Sequence, residues 1–500
     1  MRRLASLPRR RFSAPVVVLV LSACLAGPSL PQVAPIHPTT PTPGNLSSNL
    51  PTPLPQRLPI VPGQILEYAA QSGDTLPAVA AHFNTTVDGI RSANPWLPRD
   101  VTTLEPGKDL RVPAYFAPFT GTSFKILPDS EVVNSPGLIG FNLQEFVQGR
   151  PGYLAHYHEY AFESTRPGWD IVQVIAEDFS VSPRLLLALL QFRSGWLTNA
   201  APTQVDIDYP LGYQDPDWRG LTLQLTWAAE QLNDGYYGWR VGSLSQIELA
   251  DGRVTRPDPY QNAGTVAVQY LMGQYFGQKE FDQAVGPNGF VQTYRSLFGD
   301  PFAKAVTLMG GNLTQPTLSL PFEPGAVWAF TGAPHPAWGE SLPWGALDFA
   351  PPSSVTGCVN SEAWVVAPAN GVVARSEPGI VVLDLDGNSD ERSGWIVFFY
   401  HIADQDRIAQ GTVLKTGDPL GHPSCNLAEG GHATGDNVHM ARRYNGEWIP
   451  ASGPLAFDLS NWVAASAGVA YYGTLTRGLE TITACGCTTS LNEIALPTSP

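Results

Sequence analysis

Hydrophobic positions change their period twice along the chain. From Ile65 to Ala69 they form a short, mostly apolar run; they then recur at helical spacing as Leu76, Val79 and Phe83, again as Val87, Ile90 and Ala93, and close on the extended run Leu110-Arg111-Val112-Pro113. This order predicts a strand, two short helices and a strand. Asp74 or Thr75 is placed to cap the first helix, and Asn94-Pro95 to end the second. From 128 to 310 the spacing is mostly helical. "GWDIVQVIAEDFSVSPRLLLALLQFRSGW" holds two amphipathic runs, the second with Ser182 at its cap and Pro183 in its first turn; "LQLTWAAEQLNDGYYGWR" and "NAGTVAVQYLMGQYF" follow. Over 318–490 the apolar runs shorten, become rich in Val and Ile, and are punctuated by Gly, Pro, Asn-Gly and Asp-Gly. That pattern predicts antiparallel strands joined in hairpins.

Size and charge place these segments in context. A chain of 500 residues exceeds what one core supports, so several domains are expected. A net charge of -15 argues against nucleic acid as the main partner, since phosphate binding needs clustered Lys and Arg. The basic residues that do cluster open "MRRLASLPRRRFSAPVVVLVLSACLAG", ahead of an apolar run too short to span a bilayer, which reads as an export signal over 1–24. Leu21-Ser22-Ala23-Cys24 resembles a bacterial lipobox, implying lipidation of Cys24 and anchorage on the outer face of a membrane. Residues 25–63 are dense in Pro, Ser and Thr and read as an extended linker with a reach of roughly 120 Å, at about 3.1 Å per residue. Four other cysteines, Cys358, Cys425, Cys485 and Cys487, all lie in the last third; in an exported chain they suggest two disulfides, with three pairings open.

The unit over 64–115 resembles a LysM module. Gly73, Asp74, Thr75, Leu76, Ala80, Phe83, Asn94, Pro106, Gly107, Leu110, Val112 and Pro113 carry the likeness. The resemblance implies binding of N-acetylglucosamine-containing glycan, chiefly peptidoglycan or chitin, with Gly73, Asp74, Thr75, Leu76, Asn94 and Pro95 as the candidate contacts. The order of helices over 128–310 loosely resembles the lysozyme-like domain of lytic transglycosylases, where a Glu follows such an apolar helix. Here Leu190-Gln191-Phe192-Arg193-Ser194-Gly195 offers no carboxylate, so the domain reads as a glycan-binding remnant or as a helical spacer. His156-x-His158-Glu159 at its start is either a metal pair or a solvated aromatic turn, and the second reading is preferred.

Chemistry concentrates near the end, where five of the nine histidines follow residue 330: His335, His401, His422, His432 and His439. A hydrolytic zinc site uses three protein ligands and leaves one position open. "GAPH" followed by "LDFA" sets His335 thirteen residues before Asp348; "FFYHI" carries His401; "ATGDNVHMARRYNG" carries His439. Together these resemble the lysostaphin/LytM zinc metallopeptidases, in particular the β-lytic, staphylolysin-like branch with its longer first spacing. The resemblance implies a C-terminal β metallopeptidase domain with zinc ligands His335, Asp348 and His439, and His401 as a catalytic group. The family's second catalytic His, first of a His-x-His pair, falls on Asn437, which cannot accept a proton at neutral pH. His432 could substitute for it, but reads better as an exposed loop residue, and His422 as structural. The implied function is cleavage of peptide cross-links in peptidoglycan, weakened by Asn437. The alternative is an inactive wall-binding lipoprotein that regulates or scaffolds other hydrolases.

Overall fold

The computed structural model describes residues 60–115, 121–352, 357–358, 361–425, 433 and 435–496. Cys24, the export signal, nearly all of the Pro-rich linker and His432 lie outside the described residues. The first unit is β1 (Gln64–Ala69), α1 (Leu76–His82), α2 (Val87–Ala93) and β2 (Asp109–Ala114), with the two strands paired antiparallel. Thr75 is the cap of α1, its hydroxyl accepting from Ala78 N. Asp74 turns inward, accepts from Tyr68 Oη and Gln71 N, and burial pushes its carboxyl up to about 6. Asn94 ends α2 and ties it to β2, donating to Ile90 O and Arg111 O and accepting from Arg111 N. Three of the expected glycan contacts also serve the module's own packing. Asp74, Leu76 and Asn94 are buried parts of the module's own frame, because a polar group in so small a core must be satisfied internally.

The helical region comprises α3 (Leu143–Gln148), α4 (Gly168–Asp178), α5 (Pro183–Ser194), α6 (Gln204–Asp208), α7 (Leu221–Arg240), α8 (Ala263–Tyr275), α9 (Gln278–Ala284) and α10 (Phe290–Phe298). Two short hairpins interrupt it: β3 (His158–Ala161) with β4 (Ser164–Pro167), and β5 (Ile247–Glu248) with β6 (Val254–Thr255). As the pattern predicts, Ser182 caps α5 by accepting from Leu185 N. Glu159 accepts from Leu221 N and Thr222 N at the start of α7, where a carboxylate meets unpaired N–H groups and the positive end of the helix dipole. That occupation, and the bond from His158 Nδ1 to His156 O, leave the His156-x-His158-Glu159 group without a metal geometry. The first unit docks on α7: the His82 ring stacks on Trp239 at 3.5 Å and bonds its carbonyl oxygen. No described helix is long and apolar enough to cross a membrane.

The last region is β-rich. A nine-stranded antiparallel sheet runs in the order β13-β10-β11-β12-β15-β8-β7-β21, with β16 paired to β15. Its strands are β7 (Val327–Pro336), β8 (Trp344–Ala350), β10 (Gly371–Glu377), β11 (Gly379–Asp384), β12 (Trp395–Ile402), β13 (Val413–Leu414), β15 (Val438–Tyr444), β16 (Glu447–Trp448) and β21 (Glu493–Ala495). A β9 (Val365–Val366)/β14 (Pro419–Gly421) pair and a four-stranded sheet of β17 (Asp458–Leu459), β18 (Trp462–Ser466), β19 (Gly473–Arg477) and β20 (Glu480–Thr483) complete it. One face of the large sheet buries Phe330, Leu347, Val381, Phe399 and Met440 in a core of its own. The other face shares a core with the helices, where Phe398, Tyr400 and Trp448 join Phe179, Trp227 and Tyr237. Alternation of side chains along each strand produces this division. The cysteines pair as Cys358–Cys425 and Cys485–Cys487, two of the four left open by the sequence closing a long loop and the other two a very short one.

Candidate metal centre

Three adjacent strands of the large sheet bring His335, Asp348 and His439 together. His439 lies directly across from Asp348 in the β15–β8 register, and from Tyr400 in the β12–β15 register. The regular ladder alone would not aim His335 at them. The β7–β8 pairing shifts register three times between Phe330 and Pro336, and such bulges re-aim side chains. Gly332 leaves the room: a Cβ there would sit 2.5 Å from Asp348 Oδ2.

The three groups face one another with lone pairs inward. His335 Nε2 is 3.0 Å from His439 Nδ1 and 3.2 Å from Asp348 Oδ1, and His439 Nδ1 is 3.3 Å from the same oxygen. Each imidazole directs its other nitrogen at a backbone carbonyl, His335 Nδ1 at Ala333 O (2.8 Å) and His439 Nε2 at Ala337 O (3.0 Å). Carbonyls only accept, so in the neutral rings the protons lie on those outer nitrogens and the inner ones carry lone pairs. Asp348 Oδ1 is buried with no hydrogen bond among the described residues. Burial alone would raise this carboxyl, but positive charge and donated hydrogen bonds from the His335 and His439 rings, when those rings are protonated, hold it well below the usual carboxylate range. Three converging acceptors at 3.0–3.3 Å repel unless a cation lies between them. The spacing suits a tetrahedral ion with ligand distances near 2.0–2.2 Å, whose ligands stand about 3.3 Å apart. Backbone acceptors behind both rings supply the outer support that metal-binding histidines ordinarily have.

Around this centre stand groups of three kinds. His401 ends β12 in a left-handed conformation (φ +66°), costly for a non-glycine residue, with its ring stacked on Tyr400 and its centroid 6.4 Å from that of His439. Ser424 holds it there, its N and Oγ both donating to His401 O. Asn437 precedes β15 and bridges Ser424; its Nδ2 donates to Gly435 O, and its Oδ1 is buried without a partner among the described residues. Tyr471 was not singled out by the sequence. Its ring stacks on His335 at 4.2 Å, and its hydroxyl is raised by burial and by the nearby Asp348. Isolated pairing of Ala333 with Tyr471 brings the β18–β19 connection to the site, a contact across more than a hundred residues that "AYYG" does not signal. His422 is a structural residue as expected, bonded through Nδ1 to Ala363 O and packed on Trp364.

Comparison with known proteins adds the families. Residues 68–113 match the LysM domain, and residues 125–309 match the LasA N-terminal domain. The chain carries a LysM domain followed by a LasA-like metallopeptidase fold. Over 365 residues it is 26% identical to Protease LasA of Pseudomonas aeruginosa, in each of two strains, covering 69% of this chain and 78% of that protein. Among solved structures, the M23 metalloprotease pseudoalterin aligns with 23% identity and a TM-score of 0.28, over 34% of this chain and 96% of that one. The catalytic domain of lysostaphin from Staphylococcus simulans aligns with 17% identity and a TM-score of 0.18, over 25% of this chain and 87% of that one. The LasA match accounts for the whole helical region, including the end of α5, where Arg193 Nε donates to Leu211 O and no carboxylate is present.

Proposed function

We propose that this protein is an exported zinc metalloendopeptidase that cleaves peptide cross-links in peptidoglycan. The observation that carries the reading is the inward convergence of His335 Nε2, Asp348 Oδ1 and His439 Nδ1, with both rings braced from behind, an arrangement that suits a metal ion. These three would hold zinc, which when bound makes water acidic near neutral pH and polarises a peptide carbonyl. We assign to His401, whose ring lies beside that of His439, donation of a hydrogen bond to the oxyanion that develops at the scissile carbonyl; its positive φ and its nearness to His439 support this. The Asn437 amide, whose Oδ1 has no partner among the described residues, cannot shuttle a proton, which predicts slow turnover. The LysM domain raises the local concentration of the enzyme on the glycan. Lipidation of Cys24, with residues 25–63 as a tether, would keep the enzyme on the outer membrane face beneath the wall.

The test is metal content with a wall-degradation assay. Purified full-length chain should carry one zinc and release peptides from isolated walls, with release abolished by a chelator and restored by zinc. Protein that holds zinc yet releases nothing at high concentration would move the assignment to a non-catalytic wall protein, the reading that Asn437 favours.

A further inference from the structure

The connection between β7 and β8 separates two ligands, His335 and Asp348, and its carbonyl at Ala337 braces the third, His439. Its neck is closed by one bond within the sheet region, Ala337 N to Pro343 O at 3.0 Å. Beyond that neck, among the described residues, α7 supplies bonds that hold its backbone. Glu230 Oε1 accepts from Glu340 N (3.4 Å), and Asp234 Oδ1 accepts from Leu342 N (2.9 Å). These carboxylates are four residues apart, so they share one face of the helix and grip two alternate N–H groups of the connection. The third position of that face is Gly238, where a Cβ would come 3.7 Å from Leu342 Cδ1. At the tip, Gly339 adopts φ +60°, and a Cβ there would lie 2.9 Å from Phe179 and 3.2 Å from Glu230. Trp338 is wedged between Phe179 of the helical region and Phe398 and Tyr400 of the sheet.

We propose that α7 is a working part of the metal centre, with Asp234 and Glu230 as positioning residues that hold the 337–343 connection so that Ala337 O fixes the His439 ring for metal binding. The inference rests on the zinc reading above and extends it to residues more than a hundred positions away. It assigns the helical region a role in metal retention in addition to its packing on the sheet. Loss of a brace behind a ligating histidine ordinarily weakens metal binding by about 10- to 100-fold.

The experiment is zinc transfer from the full-length holoprotein to a chromophoric chelator, followed by absorbance, with near-ultraviolet circular dichroism recorded on every variant. The double variant Glu230→Ala/Asp234→Ala should release zinc at least about 10-fold faster than the parent. Asp234→Asn, which keeps an acceptor oxygen in place, should lie nearer the parent than Asp234→Ala does. Ser180→Ala removes a different contact between the helical region and the sheet, to Gly446 O, and should leave zinc release unchanged. Parent-like release from the double variant overturns the proposal. So does faster release from Ser180→Ala that matches the double variant, since a loosened interface would then explain both. A parent chain that binds no zinc overturns the metal assignment itself, an outcome distinct from either.

Discussion

At Asn437 a single atom type separates two enzymatic fates. Its Oδ1 can accept a hydrogen bond but its amide cannot take a proton, and a positioned general acid or base contributes typically 10²–10⁴-fold. Asn437→His is therefore expected to raise kcat for peptide release by about 10²-fold, measured on isolated walls at saturating zinc. Lack of any gain would favour the regulatory reading. His439 makes the opposite prediction. His439→Ala removes a ligand and leaves Asp348 and His335 facing a gap, so the purified chain should carry no stoichiometric zinc by elemental analysis while its circular dichroism is kept. Asn437 and His439 were legible in the sequence because their motif is local. Tyr471 was not, because nothing near it reports that its ring covers His335.

Elements join these residues, and two joints make separate predictions. The Cys358–Cys425 bridge closes a loop of 67 residues beside Ser424 and His401, whereas Cys485–Cys487 spans a separation of 2. On loop-closure entropy the first stabilises by about 4 kcal/mol and the second by only about 1 kcal/mol. Denaturant unfolding of a Cys358→Ala/Cys425→Ala variant should show the larger loss, and of Cys485→Ala/Cys487→Ala the smaller. The second joint is α1 against α7. Burial lowers the His82 imidazole to about 3, so the folded protein leaves the ring neutral where the unfolded chain, with the ordinary value of 6.5, binds a proton. More protons on the unfolded side mean that this group's contribution falls as pH drops from 6.5 towards 3, by about 1.4 kcal/mol per pH unit. Asp74 works the other way, since its raised carboxyl takes up a proton in the folded state first. The difference in Tm between the parent and His82→Phe isolates the histidine: the parent should lose ground steadily below pH 6.5, and a constant difference would refute the assignment.

At the scale of the whole molecule, the helical and β-rich regions behave as one body. They share a hydrophobic core, and buried charges cross between them. Asp178 of α4 pairs with Arg375 of β10 at 2.6 Å; Arg240 of α7 pairs with Glu447 of β16 at 2.8 Å; and Arg443 of β15 donates to Glu177 O. A buried pair contributes little net stability against an apolar substitute, but removing one partner strands the other charge at a cost of about 3–5 kcal/mol. Calorimetry of the parent should show the two regions melting in one transition. Asp178→Ala leaves Arg375 with Glu391 and Glu377, so it should reduce stability by about the 1.5–3 kcal/mol of a charged hydrogen bond rather than by the cost of a stranded charge, and two independent transitions already present in the parent would contradict the shared core.

What the sequence by itself determined is whatever depends on near neighbours. Period-two and period-3.6 spacing placed the strands and helices, Ser182 and Thr75 lay within their caps' reach, and the ligand types stood at recognisable intervals along the chain. The LysM unit and the metal triad were read through the resemblance of those local motifs to known families. Tertiary structure decided what depends on distance. Three register shifts in β7 aim His335 inward, and the four cysteines resolve into one long and one short loop. Asp74 and Asn94 are buried and bonded within their own unit, and α7 lends two carboxylates to a loop that braces a ligand more than a hundred residues further on. Local patterning reports which face of an element is apolar, but not which other element will cover it. That is settled only when all the buried faces and charges are satisfied together.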